Sequence, residues 1–477
     1  RTLPWRGAWS AVAGRWRRAP EALQRGVVAS GLAVVIVAPS QGGRLAGLAL
    51  YVAGAVLRPD LALMAVVACV PLAPYHVRLG PGTFAMFEVS LLVAAAAHAW
   101  AALMTWTPSW RAVRRWIVAR PMADWAVVAL VLLGLVAAVP SEYPREALRE
   151  WRVVFFEAAV FYALLRGAFF RPRQALQLVD VLLLAGAGVA LYALARYPLA
   201  EGVIEAEGVR RARAFFGSPN NLALVLERLL PLGIAMAWHG ATRWRRLLYG
   251  VGAIPMAVAL VLTFSRGAVL LALPASLLYL GWTTRSRAVR LVAVGLVIGV
   301  LAIVPFAGVE RLTSLLDPTQ GTTFLRLALW QAAWDMVRDH PWLGVGPDNF
   351  LYYYGDYIRP GAEVDRWLSH PHNVILDFWL RLGVGGLAVA GAMAVGLAQG
   401  ARRALGCDAA GGKDAYAVTL GLVAGAIASL AHGLTDNAFF LPELSAWWMV
   451  ALAWCVTRGQ HAAAQAPQPI APVHPER

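Results

Sequence analysis

The sequence is short of lysine, of cysteine and of charge altogether. Lys413 is its only lysine, and charged residues make up 14% of 477, against roughly 25% in soluble proteins. The three cysteines, Cys69, Cys407 and Cys455, show no CxxC spacing, so neither a zinc site nor a disulfide framework is indicated. A cleavable signal pattern of basic n-region, short apolar core and small-residue site is missing at the start of the sequence, and targeting falls to the first span. No internal repeat stands out. The arginines that give a net charge of +15 are scattered between apolar runs and form no basic domain, which excludes a nucleic-acid partner. What the chain has in quantity is apolar surface: 59% of its residues are hydrophobic and its mean hydropathy is +0.59. The expected fold is an all-α polytopic integral membrane protein.

Apolar stretches run near 26–39, 43–57, 61–75, 85–104, 123–140, 151–169, 175–197, 219–238, 246–264, 267–282, 288–306, 374–398, 416–434 and 441–457. Several fall short of the roughly 20 residues of a full span, so twelve to fourteen transmembrane helices are expected. The domain plan is a basic amphipathic segment over 1–25, lying on the cytoplasmic membrane surface among membrane lipids. Transmembrane helices over 26–306, a large loop with amphipathic helices over 307–373, helices over 374–458 and a disordered tail over 459–477 follow. With both termini in the cytoplasm, the clusters Arg111 to Arg120, Arg166 to Arg173, Arg243 to Arg246, Arg285 to Arg290 and Arg402 to Lys413 all lie inside. The connection 198–218, the turn before Arg266, the long loop and the turn Thr435-Asp436-Asn437 then all lie outside. Every candidate polar site faces one compartment.

The long loop is where chemistry is expected. It ends in His370-Pro371-His372-Asn373, and Pro371 suits the first turn of a helix, placing His372 at a helix N-terminus. Unpaired N–H groups there disfavour a second proton on the imidazole, leaving a neutral general base; capping an interfacial helix is the alternative role for His370 and His372. Gly383, eleven residues on, lies three turns along the same helix face and lets another helix or a lipid approach closely. Thr322 or Thr323 can cap a helix running to about Arg338, with Leu327, Trp330, Trp334 and Val337 on an interfacial stripe and Arg326 at its edge. Phe350, Tyr352, Tyr353, Tyr354 and Tyr357 offer an aromatic surface for sugars or for the membrane interface. Glu363 and Asp365 are the one acidic pair of the loop that resembles a divalent-metal site; two carboxylates in a loop are usually solvated, and no metal or other cofactor is expected.

Arginines accompany the histidine on the outer side. Arg210, Arg211 and Arg213 precede Ser218-Pro219, which read as the cap and first turn of the next span. Arg266 stands at the mouth of its own span, where an arginine is expensive and often functional; snorkelling to headgroups is the other explanation. Arginines clamp phosphate oxygens with paired hydrogen bonds and keep their charge in partly dry surroundings. A lipid-linked pyrophosphate suits them, and a histidine base beside it suits glycosyl transfer to a hydroxyl.

At these residues the sequence resembles the O-antigen ligase and polymerase superfamily of bacterial inner-membrane glycosyltransferases. The family's Arg-x3-Leu and His-x10-Gly motifs look like Arg266 to Leu270 and His372 to Gly383. Arg326 ahead of Trp330, the turn His340-Pro341-Trp342-Leu343-Gly344-Val345-Gly346, the stretch from Arg213 to Asn220 and the late Asp436 are similar too. The likeness covers roughly residues 200–440. It implies an inverting, metal-independent ligase with a GT-C-like fold, its active site facing the periplasm. Such an enzyme moves glycan from undecaprenyl pyrophosphate to a lipid A-core hydroxyl. His372 would be the base, Arg213, Arg266 and Arg326 would hold pyrophosphate, and His370, Asp436, Arg210, Arg211 and Gly383 would support them, with the choice among Arg210, Arg211 and Arg213 open. A polymerase, or a protein O-oligosaccharyltransferase, shares the same motifs. A transporter is the alternative from another class, because Glu88, Glu157, Asp180 and the Glu227-Arg228 pair lie in or near apolar segments; such carriers place ionisable residues near the bilayer midplane on broken helices.

Overall fold

The computed structural model describes residues 4–105, 120–284 apart from 207, scattered residues between 287 and 299, and 321–465. The expected span 288–306, the start of the long loop and the end of the tail fall wholly or largely outside the described residues. Helices dominate, as the composition requires. Six are long and apolar enough to cross a membrane: Met86–Met104, Pro172–Leu199, Pro219–His239, Arg243–Leu262, Val374–Gly406 and Lys413–Gly433. A seventh crossing is possible where Ala11–Arg18 and Glu21–Val37 meet at 104°. Pro59–Leu72, Met122–Ala138 and Ala268–Thr283 are apolar but shorter.

In chain order the helices are α1 (Pro4–Arg18), α2 (Glu21–Val37), α3 (Gln41–Leu57), α4 (Pro59–Cys69) and α5 (Met86–Thr105). Then come α6 (Met122–Ala138), α7 (Pro144–Glu150), α8 (Glu157–Phe169), α9 (Pro172–Arg196), α10 (Pro219–His239) and α11 (Arg243–Leu262). The rest are α12 (Leu273–Thr283), α13 (Gly321–Asp339), α14 (Phe350–Tyr357), α15 (Val374–Gly411), α16 (Lys413–Gly433) and α17 (Pro442–Gln465). α17 runs on to Gln465, so residues 459–465 are helical and not part of a disordered tail.

α10 begins as its sequence dictates. Ser218 Oγ accepts from the Asn221 N–H and Pro219 fills the first turn, where a missing N–H costs nothing. The main core lies between α10, α16, α15 and α17, with Leu222, Leu226, Leu229, Val418, Leu422, Trp447 and Trp454 buried in it. The charges singled out for a transporter are paired. Arg152 meets both Glu88 and Glu157, and Arg245 bridges Asp180 at 2.5 Å and Asp414 at 2.7 Å.

Two short hairpins interrupt the helices. β1 (His76–Leu79) pairs with β2 (Gly82–Ala85), and β3 (Val203–Ala206) pairs with β4 (Val209–Ala212), both antiparallel. The second turns at Gly208, whose φ of +73° suits glycine alone. Strand alternation in β4 then sends neighbouring arginines to opposite faces.

The long loop folds around a core of its own. α13 buries Leu329, Ala332, Ala333 and Met336 against Val345, Phe350, Tyr354 and Leu380. The expected interfacial stripe is divided: Val337 is buried, while Leu327 and Trp334 face outward. Nor do the loop aromatics form one surface. Phe350 and Tyr354 are buried, and only Tyr352, stacked on Tyr143 at 4.2 Å, is well exposed.

Candidate active site

His372 sits one residue outside the helix expected to begin with it. α15 starts at Val374, and Asn373 caps it, its Oδ1 accepting from the N–H groups of Ile375 and Leu376 at 3.0 and 3.2 Å. His372 itself has φ +47°, a left-handed conformation that an interior helix position excludes. The cap is therefore Asn373, and Pro371 lies before the helix rather than in its first turn. Asn373 Nδ2 also donates to the Leu434 carbonyl at 3.2 Å, tying the histidine loop to the turn that carries Asp436.

The contact at the centre is between His372 Nδ1 and Asp436 Oδ1, 3.0 Å apart. Asp436 is 2% exposed. Its Oδ1 also accepts from the Asn437 N–H at 2.8 Å, and its Oδ2 accepts from Asn220 Nδ2 at 2.9 Å. His370 stacks obliquely on His372, ring centroids 4.2 Å apart, with Nε2 3.5 Å from Asp436 Oδ1. Burial alone would raise the Asp436 carboxyl, but His372, His370 and His432 around it hold it well below the usual carboxylate range. Burial and the adjacent His370 lower His372 below the ordinary imidazole value; Asp436 opposes them and Arg326 adds to them. The neutral imidazole expected from the sequence thus arises chiefly from burial. No described residue bonds Nε2 of His372, and its side chain is 21% exposed. A neutral ring oriented through Nδ1 by a carboxylate, with Nε2 free, is equipped to take a proton from a hydroxyl.

The donor atoms of His370, His372 and Asp436 lie within 4.8 Å of one another, but the Asp436 oxygens are committed to the hydrogen bonds just given. Glu363 Oε1 instead accepts from the Gly361 N–H at 3.1 Å. Glu363 and Asp365 join no group of three metal donors among the described residues.

The three arginines ahead of α10 are distinguished by the hairpin. Arg210, on one face of β4, pairs with the exposed Glu205 at 3.2 Å. Arg211, on the other, is buried; its Nε donates to the Thr263 carbonyl at 2.8 Å and a terminal nitrogen to Asn220 Oδ1 at 2.9 Å. Asn220 therefore links Arg211 to Asp436. Arg213, just past the strand, donates one terminal nitrogen to the Phe216 carbonyl at 3.0 Å, while its buried Nε finds no partner. Of the three, Arg213 has the most donor capacity left.

Arg266 adjoins Gly267, which packs so closely on His432 that a Cβ there would lie 2.1 Å from the ring. Arg326, on α13, is near enough to His372 to bear on its charge. Three converging segments each hold a residue with a Cβ at positive φ: Ala214 at +53°, Phe264 at +49° and His372 at +47°. Such strain, of order 1–3 kcal/mol each, gathers at functional sites.

Gly383 has a different task from the one its spacing suggests. It breaks α15 with φ +64° and ψ −165°, and a Cβ would lie 1.8 Å from the Trp342 carbonyl oxygen. The break frees Leu380 O to accept from the N–H groups of Val345 at 2.7 Å and Gly346 at 3.2 Å, and lets Val384 N–H reach Pro341 O at 3.1 Å. The segment that approaches the glycine is the Pro-Trp-Leu-Gly-Val-Gly turn of the loop, neither a helix nor a lipid.

No curated protein matches the chain. The family model described as O-antigen ligase matches residues 251–391, a stretch that takes in Arg266, Arg326, the docked turn, His370, His372 and Gly383 and leaves Arg213, Asn220 and Asp436 to either side. Members of that family are glycosyltransferase-like membrane enzymes, in keeping with the multi-pass helical architecture. Residues 251–391 of the chain are thus similar to the O-antigen ligase family.

Proposed function

We propose that this protein is an O-antigen ligase that transfers glycan from undecaprenyl pyrophosphate to a lipid A-core hydroxyl at the periplasmic face of the inner membrane. One observation carries the reading: His372 Nδ1 is held 3.0 Å from the buried Asp436 carboxylate, and no described residue bonds Nε2. Nε2 takes the acceptor hydroxyl proton as its oxygen attacks the anomeric carbon. The bond from that carbon to the pyrophosphate oxygen breaks, and the electron pair leaves with the pyrophosphate. Attack opposite the leaving group inverts the centre. Arg213, Arg266 and Arg326 stabilise the charge that develops on the leaving group, and Asp436 stabilises the imidazolium that forms. His370 backs the Asp436 contact, Arg211 fixes Asn220, and Gly383 keeps the loop docked; Arg210 has the least to do. A leaving group already neutralised by arginines needs no metal.

The test is transfer from purified undecaprenyl-pyrophosphate glycan to lipid A-core by wild type and His372→Ala, each with and without EDTA. Product from wild type in both conditions and none from the mutant is expected. Equal product from the mutant would sink the mechanism, and loss of wild-type product with EDTA would sink the metal-free version. Product only with a second glycan chain or a protein acceptor would move the chain to the polymerase or oligosaccharyltransferase reading of the same chemistry.

A further inference from the structure

A buried acid–base pair lies beneath the site, and no step above uses it. Glu227 on α10 and His432 on α16 have side chains 1% exposed, with His432 Nδ1 2.7 Å from Glu227 Oε2. The other ring nitrogen, Nε2, lies 3.8 Å from Asp436 Oδ2. The ring has nowhere else to go, because Gly267 lies against its face and leaves no room for a Cβ. Three further charged groups face the pair. Arg228 lies 3.7 Å from Glu227 Oε1, and donates to Ser429 Oγ at 2.8 Å and to the Ala438 carbonyl at 2.9 Å. Glu443 acts on Arg228 from α17, and Asp436 completes the set.

Ionisable side chains in membrane helices are costly and are often functional, and apolar residues of the same size would pack as well without the desolvation penalty. This pair does something packing cannot. The ring bonds Glu227 through Nδ1, and its Nε2 edge faces Asp436 Oδ2 at 3.8 Å, a close electrostatic contact beyond hydrogen-bond length. Glu227 fixes the ring plane, which turns the Nε2 edge toward Asp436 Oδ2, beside the Asn220 amide. Oδ1 is then left for His372.

We propose that Glu227 and His432 are positioning residues of the transfer reaction: Glu227 orients His432, His432 holds Asp436, and Asp436 aims the His372 ring at the acceptor. This rests on His372 being the base.

The experiment uses the full-length protein in nanodiscs, with kcat for transfer and Kd for undecaprenyl pyrophosphate measured side by side. His432→Leu is expected to lower kcat by about tenfold or more, because it removes the polar edge 3.8 Å from the buried Asp436 carboxylate, with Kd unchanged. His432→Gln, which keeps a donor toward Asp436, restores most of the loss. In an Asp436→Asn background, His432→Leu costs nothing further, since the two act through one contact. Additive losses in the double variant, equal losses for the Leu and Gln variants, or an unchanged kcat would each overturn the proposal. If His432→Leu fails to fold, the isosteric Glu227→Gln carries the test, with the same expectation of a lowered kcat and a constant Kd. A fully active His372→Ala would sink the base reading separately; the ¹³C signal of the His372 ring, compared between wild type and the His432 variants, then still decides whether the pair holds Asp436.

Discussion

Replacing Gly383 by alanine perturbs the one position where the loop and the membrane helix share a joint. The new Cβ meets the Trp342 carbonyl oxygen at 1.8 Å, so the turn has to move. A backbone at φ +64° and ψ −165°, a region almost confined to glycine, costs a residue with a Cβ about 1–3 kcal/mol. Releasing the turn also forfeits the three bonds from Val345, Gly346 and Val384, at about 0.5–1.5 kcal/mol each. The sum, about 2.5–7.5 kcal/mol, is enough to undock the turn while α15 and the bundle persist. Hydrogen exchange read by mass spectrometry is the assay: the amides of Val345, Gly346 and Val384 are expected to exchange about a hundredfold faster or more, with α10 and α16 unchanged. Transfer activity should fall in parallel, since the same loop carries His370 and His372. Unchanged protection at those three amides in Gly383→Ala would refute the account of the helix break.

With His372 as the proposed base, its pKa depressed by burial and by His370, kcat/KM should hold its plateau as pH falls through about 6.5 and decline only below; a half-maximum above that value counts against it. Arg210→Ala removes an exposed pair and should change stability by no more than about 0.5 kcal/mol. Arg211→Ala strands the Thr263 carbonyl and Asn220 and should cost about 2–4 kcal/mol, read as a fall in Tm with slower transfer; equal effects from the two would contradict the strand alternation. Arg381 is 4% exposed between Glu150 and Asp377, and Arg381→Met leaves two buried carboxylates uncompensated. About 3–5 kcal/mol of destabilisation is expected, measured by thermal unfolding in detergent, and a neutral substitution would show that the triad is not a closed unit.

The sequence made the histidine loop, the arginines and Asp436 legible because each is a costly residue beside an apolar span. It was less informative where the determinant was conformational. Nothing in Pro371-His372-Asn373 distinguished a proline at the first turn from an asparagine cap, and the cap prevailed because it satisfies two helix N–H groups at once. The choice among Arg210, Arg211 and Arg213 turns on a four-residue strand, which a reading tuned to helical periods passed over; Gly208 was the available signal. Ala332 and Ala333 carry too little hydrophobicity to advertise a core, yet their small size lets α13 pack closely on Leu380. Glu227 and His432 stand 205 residues apart, and sequence spacing could not bring them together.

The long loop is fastened at two places remote from its histidines. Besides the three bonds at the helix break, the buried Asn349 accepts from the Tyr143 N–H at 3.0 Å and donates to the Tyr143 carbonyl at 3.3 Å. Five such bonds, at about 0.5–1.5 kcal/mol each, hold the loop by roughly 2.5–7.5 kcal/mol. A swung-out state would then be occupied by on the order of one molecule in a hundred, or fewer. The loop is therefore docked nearly all the time. In the proposed transfer both reactants carry lipid tails, and they would arrive and depart by diffusion within the bilayer plane past a docked wall.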